Sequence, residues 1–434
     1  GMKRASCHAL AAAMLAAVLP LPGIATEAQA DYLPPDVLIA QALAGQPEVQ
    51  AAAARVVAAQ ADRRALDVGS YETEAMLLPQ RRSTDAEGRY REWEAQLTRR
   101  IRLPGKARLD REIGLHGSRA ADLRLDDAEH QAARRLLQLW MDWLRTGAQA
   151  EAGTAQQVLM ARERAALARR VQVGDAARLD LDLFDAEQAR LQAEVLSAQA
   201  AAASARRALV AEFPQIPLPG RLPALPEPQP LPGGAEAWRA LIVERSHEIG
   251  IADEDATRQS LVADRARADR RPDPSIGVRV LNERGGQEHA IGVVLSVPLG
   301  FAHRSALARS EAASADALAA EATGMRRLIE REAASLVRSA EDLRSQWQAV
   351  QAARVAQQAA TDRLRRAWEL GEVGLSDWLL ASRNDGQARR AEAVARVDAL
   401  EAGLRVRVDS HELWHPELPM EAHSHSHAAP PSSR

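Results

Sequence analysis

The sequence predicts a mainly α-helical protein built from two copies of one unit, in which a helix, a β-hairpin and a long helical pair follow each other. Residues 97–105 (LTRRIRLPG) correspond to residues 292–300 (GVVLSVPLG), and Ala186 corresponds to Ala381 at the same offset of 195 residues. Near the start, QPEVQAA corresponds to SHEIGIA at an offset of 200 residues. A repeat of this length indicates a duplicated domain, because solenoid units span roughly 20–50 residues.

The helical elements are unusually long. Residues 36–66 form an Ala-rich amphipathic segment, and residues 106–173 and 302–370 each continue almost without a helix breaker. A helix of that length would reach roughly 100 Å. The second long segment carries a heptad-like apolar stripe: Ile329, Ala333, Leu336, Ala340, Leu343, Trp347 and Val350. Taken alone, this stripe is equally compatible with a long cytosolic coiled coil.

The residue pattern of the two hairpins favours a membrane protein over a soluble coiled coil. In the first copy, apolar residues alternate with polar ones, and the apolar set is Trp93, Ala95, Leu97, Ile101 and Leu103. Residues 276–280 and 291–297 alternate in the same way around a turn at residues 282–287. Strands of about ten residues with one apolar face are typical of a transmembrane β-barrel wall. Four strands per chain cannot close a barrel, so several chains must contribute. The soluble alternative is two hairpins packed on helices.

The first thirty residues predict a secretory signal peptide. Lys3 and Arg4 precede an apolar run at residues 9–19, and a small-residue cleavage site follows at residues 28–30. The single cysteine, Cys7, precedes the apolar run, so we expect neither a lipid anchor nor a disulfide framework. The net charge of −3 becomes about −4 without the +1 of the leader, which argues against nucleic-acid binding. No apolar run is long enough to predict a transmembrane helix.

Changes in composition along the sequence divide the chain into five segments. After the signal peptide (1–30), the first repeat covers residues 31–213 and the second covers residues 235–409. Between them, residues 214–234 contain eight prolines and predict an extended strap. Residues 410–434 are rich in histidine and proline and predict a disordered tail.

Four segments, in order, resemble the TolC-type outer-membrane efflux proteins. They are residues 38–50 (LIAQALAGQPEVQ), 271–280 (RPDPSIGVRV), 294–300 (VLSVPLG) and 366–381 (RAWELGEVGLSDWLLA). In the last, Gly371 is followed by Leu379 and Ala381 at the family's spacing. The resemblance implies a homotrimer in the outer membrane of a Gram-negative bacterium, with a 12-stranded barrel on an α-helical periplasmic tunnel. It also implies two partners, a periplasmic adaptor and an inner-membrane RND-type pump.

Two sets of residues receive roles from this resemblance. Gly174 and Gly371 interrupt the long helices and would form the periplasmic tips, where they would dock the adaptor together with Asp175, Glu372 and Val373. The alternative is that these glycines only end helices. Asp377 matches a position whose carboxylates ring the periplasmic aperture, and rings of carboxylates attract cations. The family's second acidic position is Leu380 here. The first copy offers Asp180, Asp182 and Asp185, which alternatively serve as helix caps or dipole partners.

The remaining motifs concern cargo and chemistry. His423, His425 and His427 form an alternating tract that would bind a metal ion weakly, or would simply be solvated. His247, His289 and His303 are scattered along the chain and are interpreted as ordinary residues. We find no nucleophile elbow, phosphate loop or dinucleotide fingerprint, so we expect a passive duct without enzymatic activity or cofactor. The histidine tract and the general similarity favour the heavy-metal branch of the family. Drug or dye efflux, type I secretion, a periplasmic adaptor and a coiled-coil structural protein are the alternatives.

Overall fold

The computed structural model describes residues 32–86 and 88–414, and within these ranges the elements occur in the predicted duplicated order. The first copy comprises α1 (Asp36–Ala44), α2 (Pro47–Val68), β1 (Thr73–Thr84), β2 (Gly88–Arg100), α3 (Lys106–Gln172) and α4 (Arg178–Glu212). The second comprises α5 (Ala235–Glu244), α6 (His247–Ala268), β3 (Ser275–Glu283), β4 (Glu288–Ser296), α7 (Phe301–Glu369) and α8 (Leu375–Asp409). The mainly α fold class with four strands per chain is confirmed.

The opening helical segment is divided in two. The sequence predicts one helix over residues 36–66, whereas α1 ends at Ala44 and α2 begins at Pro47. Proline lacks the amide hydrogen for a helical bond, and its ring crowds the preceding turn, so it is accepted only at the start of a helix. The prediction of a continuous helix was therefore wrong at residues 45–46.

The long helices are continuous, as predicted. Helix α3 has 67 residues and α7 has 69 residues, which corresponds to roughly 100 Å each at 1.5 Å per residue. Their partners α4 and α8 have 35 residues each and run back along the longer helix. Each copy therefore presents a helical hairpin whose turn lies far from the sheet.

The two-residue difference between α3 and α7 changes the alignment of the copies. Helices α3 and α7 begin 195 residues apart, whereas α4 and α8 begin 197 residues apart. The residue equivalent to Ala381 is therefore Phe184, and the predicted equivalence with Ala186 was wrong. By the same offset, Asp180 is equivalent to Asp377.

The four strands form one antiparallel sheet in the order β1-β2-β3-β4. The register aligns Leu77, Ala95, Val280 and Ile291 in one cross-strand row, and Ala75, Leu97, Val278 and Val293 in the next. We call the face that carries these two rows the apolar face and the other the polar face. Ile291 is 82% exposed and Val293 is 77% exposed. Among the residues that the structure describes, the outer edges of β1 and β4 pair with no other strand.

A network of charged groups joins the sheet to the helices. Lys106, at the start of α3, is 2% exposed, and its Nζ lies 2.8 Å from Asp273 Oδ1 and 2.9 Å from Asp269 Oδ1. The same Nζ donates to the Arg271 carbonyl oxygen at 2.8 Å. A buried ammonium requires such partners, because an unpaired buried charge is strongly destabilising. This network fixes the beginning of α3 against the segment between α6 and β3.

The largest apolar core lies about half-way along α3. It contains fully buried residues of α1, α3 and α8, including Ile39, Leu136, Leu144 and Val397. The proline-rich strap packs against it through leucine side chains. Gly147 of α3 permits this contact, since a Cβ there would lie 2.7 Å from the Leu222 side chain.

The chain after α8 also contributes to this core. Trp414 is 8% exposed and belongs to the apolar cluster, while Arg245 donates to the Ser410 carbonyl oxygen and pairs with Glu412, both at 2.7 Å. The predicted disordered tail was therefore placed too early, because residues 410–414 fold onto the domain. Residues 1–31 and 415–434, and with them the predicted signal peptide and most of the histidine tail, lie outside the described residues.

In the part of the chain that the structure describes, no helix combines the length and the apolar character needed to cross a membrane.

Candidate functional site

The two helical hairpins end in turns of identical design. Gly174 has φ of 79° and Gly371 has φ of 78°, which is the left-handed conformation that glycine adopts without a steric penalty. In the first turn, Gly174 N donates to Val171 O at 3.1 Å and Asp175 N donates to Arg170 O at 2.8 Å. This pair of bonds is the Schellman arrangement, which satisfies the last carbonyl groups of a helix.

The second turn repeats these bonds. Gly371 N donates to Trp368 O at 3.0 Å, and Glu372 N donates to Ala367 O at 2.8 Å. Just before each glycine, an apolar side chain points into solvent: Val173 is 80% exposed and Leu370 is 75% exposed. The sequence alone does not distinguish these two residues, because an apolar residue at the end of an amphipathic helix is usually part of a core.

Among the predicted docking residues, only some are free at the surface. Asp175 Oδ2 accepts from Arg170 Nε at 2.8 Å, and Glu372 is exposed. Val373 is half-buried. Each tip therefore presents one apolar residue, one glycine and one acidic residue in the same order along the chain.

An aromatic cluster holds the two hairpins together behind the tips. The Trp378 ring stacks on Trp368 at 4.8 Å and on Phe184 at 5.5 Å between ring centroids. Trp378 is 1% exposed and Phe184 is fully buried. Since Phe184 belongs to α4 and the tryptophans to α7 and α8, the stack connects the first repeat to the second. Arg170 of α3 lies over Trp368 at 5.9 Å.

Ion pairs continue this contact along the hairpins. Arg383 Nη2 of α8 lies 2.6 Å from Glu187 Oε2 of α4, and Arg390 Nη2 lies 3.3 Å from Glu194 Oε2. Burial alone would raise the pKa of Glu187, but hydrogen bonds from Arg190 and Arg383 outweigh it and lower that pKa. The carboxylate therefore stays charged in this contact between helices.

The predicted aperture residues fall into two groups. Asp182 pairs with Arg178 at 3.1 Å, and Asp185 pairs with Arg164 at 2.5 Å. Asp180 and Asp377 are in the first turns of α4 and α8, where the helix dipole favours a carboxylate. In the described residues, neither of these two has an arginine or lysine partner within 4.0 Å.

Three residues beyond each of these acids comes a leucine that points into solvent. Leu183 follows Asp180 and is 41% exposed, and Leu380 follows Asp377 and is 54% exposed. The structure therefore resolves the ambiguous first copy: Asp180 and Leu183 correspond to Asp377 and Leu380, whereas Asp182 and Asp185 are held in ion pairs.

Comparisons with solved structures identify the fold of this chain. No family model and no curated protein matches the chain. Among solved structures, the outer-membrane channel OprN superimposes with a TM-score of 0.75 at 21% identity, covering 88% of this chain and 90% of that one. CusC gives 0.70 at 15% identity over 86% and 91%. VceC from Vibrio cholerae gives 0.68 at 18% identity over 86% and 95%. The chain has the fold of the TolC-type outer-membrane channels.

This fold brings together histidines that are far apart in sequence. The rings of His247 and His411 stack at 4.5 Å between centroids, and His130 approaches His411 edge-on at 4.9 Å. His130 and His411 border a cavity of about 480 Å³ between α3, α7 and α8. The sequence spacing of His247 carries no sign of this ring contact, which only the tertiary fold creates. In residues 32–86 and 88–414, no group of three or more potential ligands is arranged to hold a metal ion.

Asp409 anchors this histidine cluster. Arg134 Nε donates to it at 2.7 Å, Arg405 Nε donates at 2.9 Å, and His130 Nε2 lies 3.5 Å away. Burial raises the pKa of Asp409, but the hydrogen bonds and the positive charges outweigh burial and lower that pKa from 3.8 to about 2. The other histidines lie apart, His289 on β4 and His303 on α7. His423, His425 and His427 lie outside the described residues.

Proposed function

We propose that this protein is the outer-membrane channel of a tripartite efflux pump, a passive exit duct without enzymatic activity or cofactor. The observation that carries the proposal is the sheet. Its apolar face is exposed in a single chain, and no described residue pairs with either of its edges. Exposed backbone edges and apolar rows are unstable in water, so both require cover. A lipid environment covers the face, and further copies of the chain cover the edges.

Three copies satisfy both requirements. Four strands are too few for a barrel, whereas twelve strands enclose an open lumen. In a cyclic trimer, β1 of each copy would pair with β4 of the next, so that no edge remains. The helical hairpins of the three copies would then surround one axis and form a tunnel on the side of the sheet where α3 and α7 begin. The predicted location is the outer membrane, with the tunnel in the periplasm.

The tips provide the surface for the partners. The two similar turns at Gly174 and Gly371 would dock the helical hairpins of a periplasmic adaptor, which connects the duct to an inner-membrane RND-type pump. Val173 and Leu370 add exposed apolar anchors, and Asp175, Glu372 and Val373 flank them. Small, exposed and repeated in both copies, these turns offer six similar docking positions around a trimer.

Cations are the cargo that we propose. Asp377 and Asp180, repeated three times, would place carboxylates around the periplasmic aperture, and Leu380 and Leu183 would form an apolar constriction beside them. Such acidic rings concentrate cations. With the histidine tract, this favours metal cations over drugs, dyes or a secreted protein, which are the alternatives for the same duct. A periplasmic adaptor is disfavoured, because the chain has two helical hairpins and a four-stranded sheet with an exposed apolar face.

One experiment tests the channel with a matched pair of variants. Detergent-extracted protein should have the mass of a trimer and should form conducting pores in planar bilayers. Ile291→Arg places a charge on the apolar face, which costs about 2–4 kcal/mol within a bilayer and should prevent insertion. Ala290→Arg, on the polar face of the same strand, should insert. A monomer without conductance, or equal insertion of both variants, would contradict the proposal.

A further inference from the structure

Charge is separated across the sheet. All carboxylates of the four described strands lie on the polar face: Glu74, Glu92, Glu94, Glu283 and Glu288. Three of them, Glu92, Glu94 and Glu283, pair with arginines of the same face, as in the contact between Glu94 Oε1 and Arg279 Nε at 2.6 Å. The apolar face carries arginines without any carboxylate in these strands. Three of these arginines, Arg81, Arg89 and Arg91, lie near the hairpin turn, and we call them the arginine cluster.

In the described part of the chain, no carboxylate neutralises the arginine cluster. Arg81 and Arg91 face each other directly in the register of β1 and β2, and like charges in this position are destabilising. Arg89 lies two residues closer to the turn, and all three side chains are exposed. In the described residues, no carboxylate approaches any of them within 4.0 Å, whereas Arg82 on the polar face lies 3.4 Å from Glu92.

Closure of the barrel does not neutralise the cluster either. In the proposed trimer, the neighbour of β1 is β4 of the next copy, and on the apolar face β4 carries His289, Ile291, Val293 and Leu295. Glu288 of that strand is on the polar face. Since no carboxylate of the described strands reaches the cluster even in the trimer, a ligand from the surroundings can supply the balancing negative charge.

The position of the cluster along the sheet identifies the source of that charge. The apolar rows lie nearest the middle of the strands, and the next row toward the turn contains Trp93 opposite Pro79. Arg81 and Arg91 follow one row further, roughly 7 Å beyond Trp93 at about 3.4 Å per residue. Aromatic residues mark the boundary between hydrocarbon and head groups in transmembrane barrels. The arginines thus lie at the level of the lipid head groups.

We infer that the arginine cluster binds the phosphate groups of anionic lipid in the outer leaflet of the membrane. Guanidinium groups bind phosphate through two parallel hydrogen bonds, and one phosphate between Arg81 and Arg91 would relieve their mutual repulsion. The turn is at the opposite end of the sheet from the long helices, so the leaflet is the one that faces away from the periplasmic tunnel. This inference rests on the proposed function, because it requires the trimer to be embedded in a membrane.

The test compares lipids that differ only in phosphate. Full-length purified protein is mixed with a diphosphorylated glycolipid of the outer leaflet or with its dephosphorylated form, and bound lipid is measured by native mass spectrometry. The triple variant Arg81→Gln, Arg89→Gln and Arg91→Gln should bind the phosphorylated lipid roughly 100-fold more weakly, if each charge contributes a typical amount at a membrane surface. Arg100→Gln, an exposed arginine on the polar face of β2, should bind like the wild type.

Each other result would overturn the inference. Equal binding of the triple variant, or equal binding of the dephosphorylated lipid, would show that the cluster does not recognise lipid phosphate. Displacement of the lipid by the same concentration of inorganic phosphate would show an anion site without lipid specificity. Planar-bilayer conductance separates the two proposals. Channels of normal conductance with unchanged lipid binding by the triple variant refute only this inference, whereas absence of wild-type channels refutes the proposed function and the inference with it.

Discussion

The role of the tips is tested by replacing Gly174 and Gly371 with aspartate together. Neither glycine has any atom within 4 Å of an added Cβ, so the side chains enter open space. The backbone is the only source of strain, because φ is near +78° at both positions. A residue with a Cβ in this conformation loses about 1–2 kcal/mol, and aspartate loses less because it adopts it more readily. This amount is small compared with the stability of a folded domain.

The double variant should therefore assemble normally and fail to export. We expect trimers with unchanged yield and mass in detergent, and unchanged conductance in planar bilayers. In a deletion strain, the variant should not restore resistance to metal salts or dyes, since two bulky charged groups would occupy the proposed docking surface of each copy.

Gly88 provides the matched control. Its φ is 87°, no atom lies within 4 Å of an added Cβ, and it is in the hairpin turn at the other end of the molecule. Gly88→Asp introduces the same strain and charge without touching the tips, so it should restore full resistance. Full resistance with the double tip variant would refute the docking role, and loss of resistance with Gly88→Asp would show that strain alone is responsible.

Three further predictions concern the aperture, the aromatic cluster and pH. Asp377→Asn should weaken block by multivalent cations in planar bilayers, whereas Asp182→Asn should not, because Arg178 already pairs with that carboxylate. Unchanged block in both variants would remove Asp377 from the aperture. Trp378→Ala should destabilise the helical hairpins by about 3–5 kcal/mol, and Trp378→Phe should destabilise them less. The loss should appear as faster proteolysis near the tips. Equal proteolysis of the wild type and Trp378→Ala would contradict a stabilising role of the aromatic stack. Because the folded-state pKa of Asp409 is lowered to about 2, its contribution of about 2 kcal/mol is present above pH 4 and lost as pH falls toward 2. Between pH 4 and pH 2, denaturant midpoints should fall further in the wild type than in Asp409→Asn, which keeps only the acid loss of other carboxylates such as Glu187; an equal fall in both proteins would contradict this assignment.

Much of the fold could be predicted because its signals are local. The long helices lack breakers for more than sixty residues, and the strands β2, β3 and β4 alternate with a period of two. Strand β1 was not assigned residue by residue, since Pro79 and the arginines after it interrupt the alternation. Its place in the sheet depends on pairing with β2, which a strand pattern alone does not specify.

The site was predicted less completely than the fold, because part of it depends on tertiary packing. Gly174 and Gly371 were found because a left-handed turn requires glycine, which is a local demand. Val173 and Leu370 were missed because exposure depends on what packs nearby. The contact among the histidines has the same cause, as His130 is in α3, His247 in α6 and His411 in the turn after α8, and only the tertiary fold joins them.

The lysine at the junction of sheet and helices has a practical consequence. Lys106 is the only side-chain amine in the described residues, because every other basic chain there ends in guanidinium or imidazole. In the folded state it is enclosed by Asp269 and Asp273, and amine-selective dyes cannot reach it. The rate at which Lys106 is labelled would therefore report how often the contact between the beginning of α3 and the segment between α6 and β3 opens. No engineered probe is needed for this measurement.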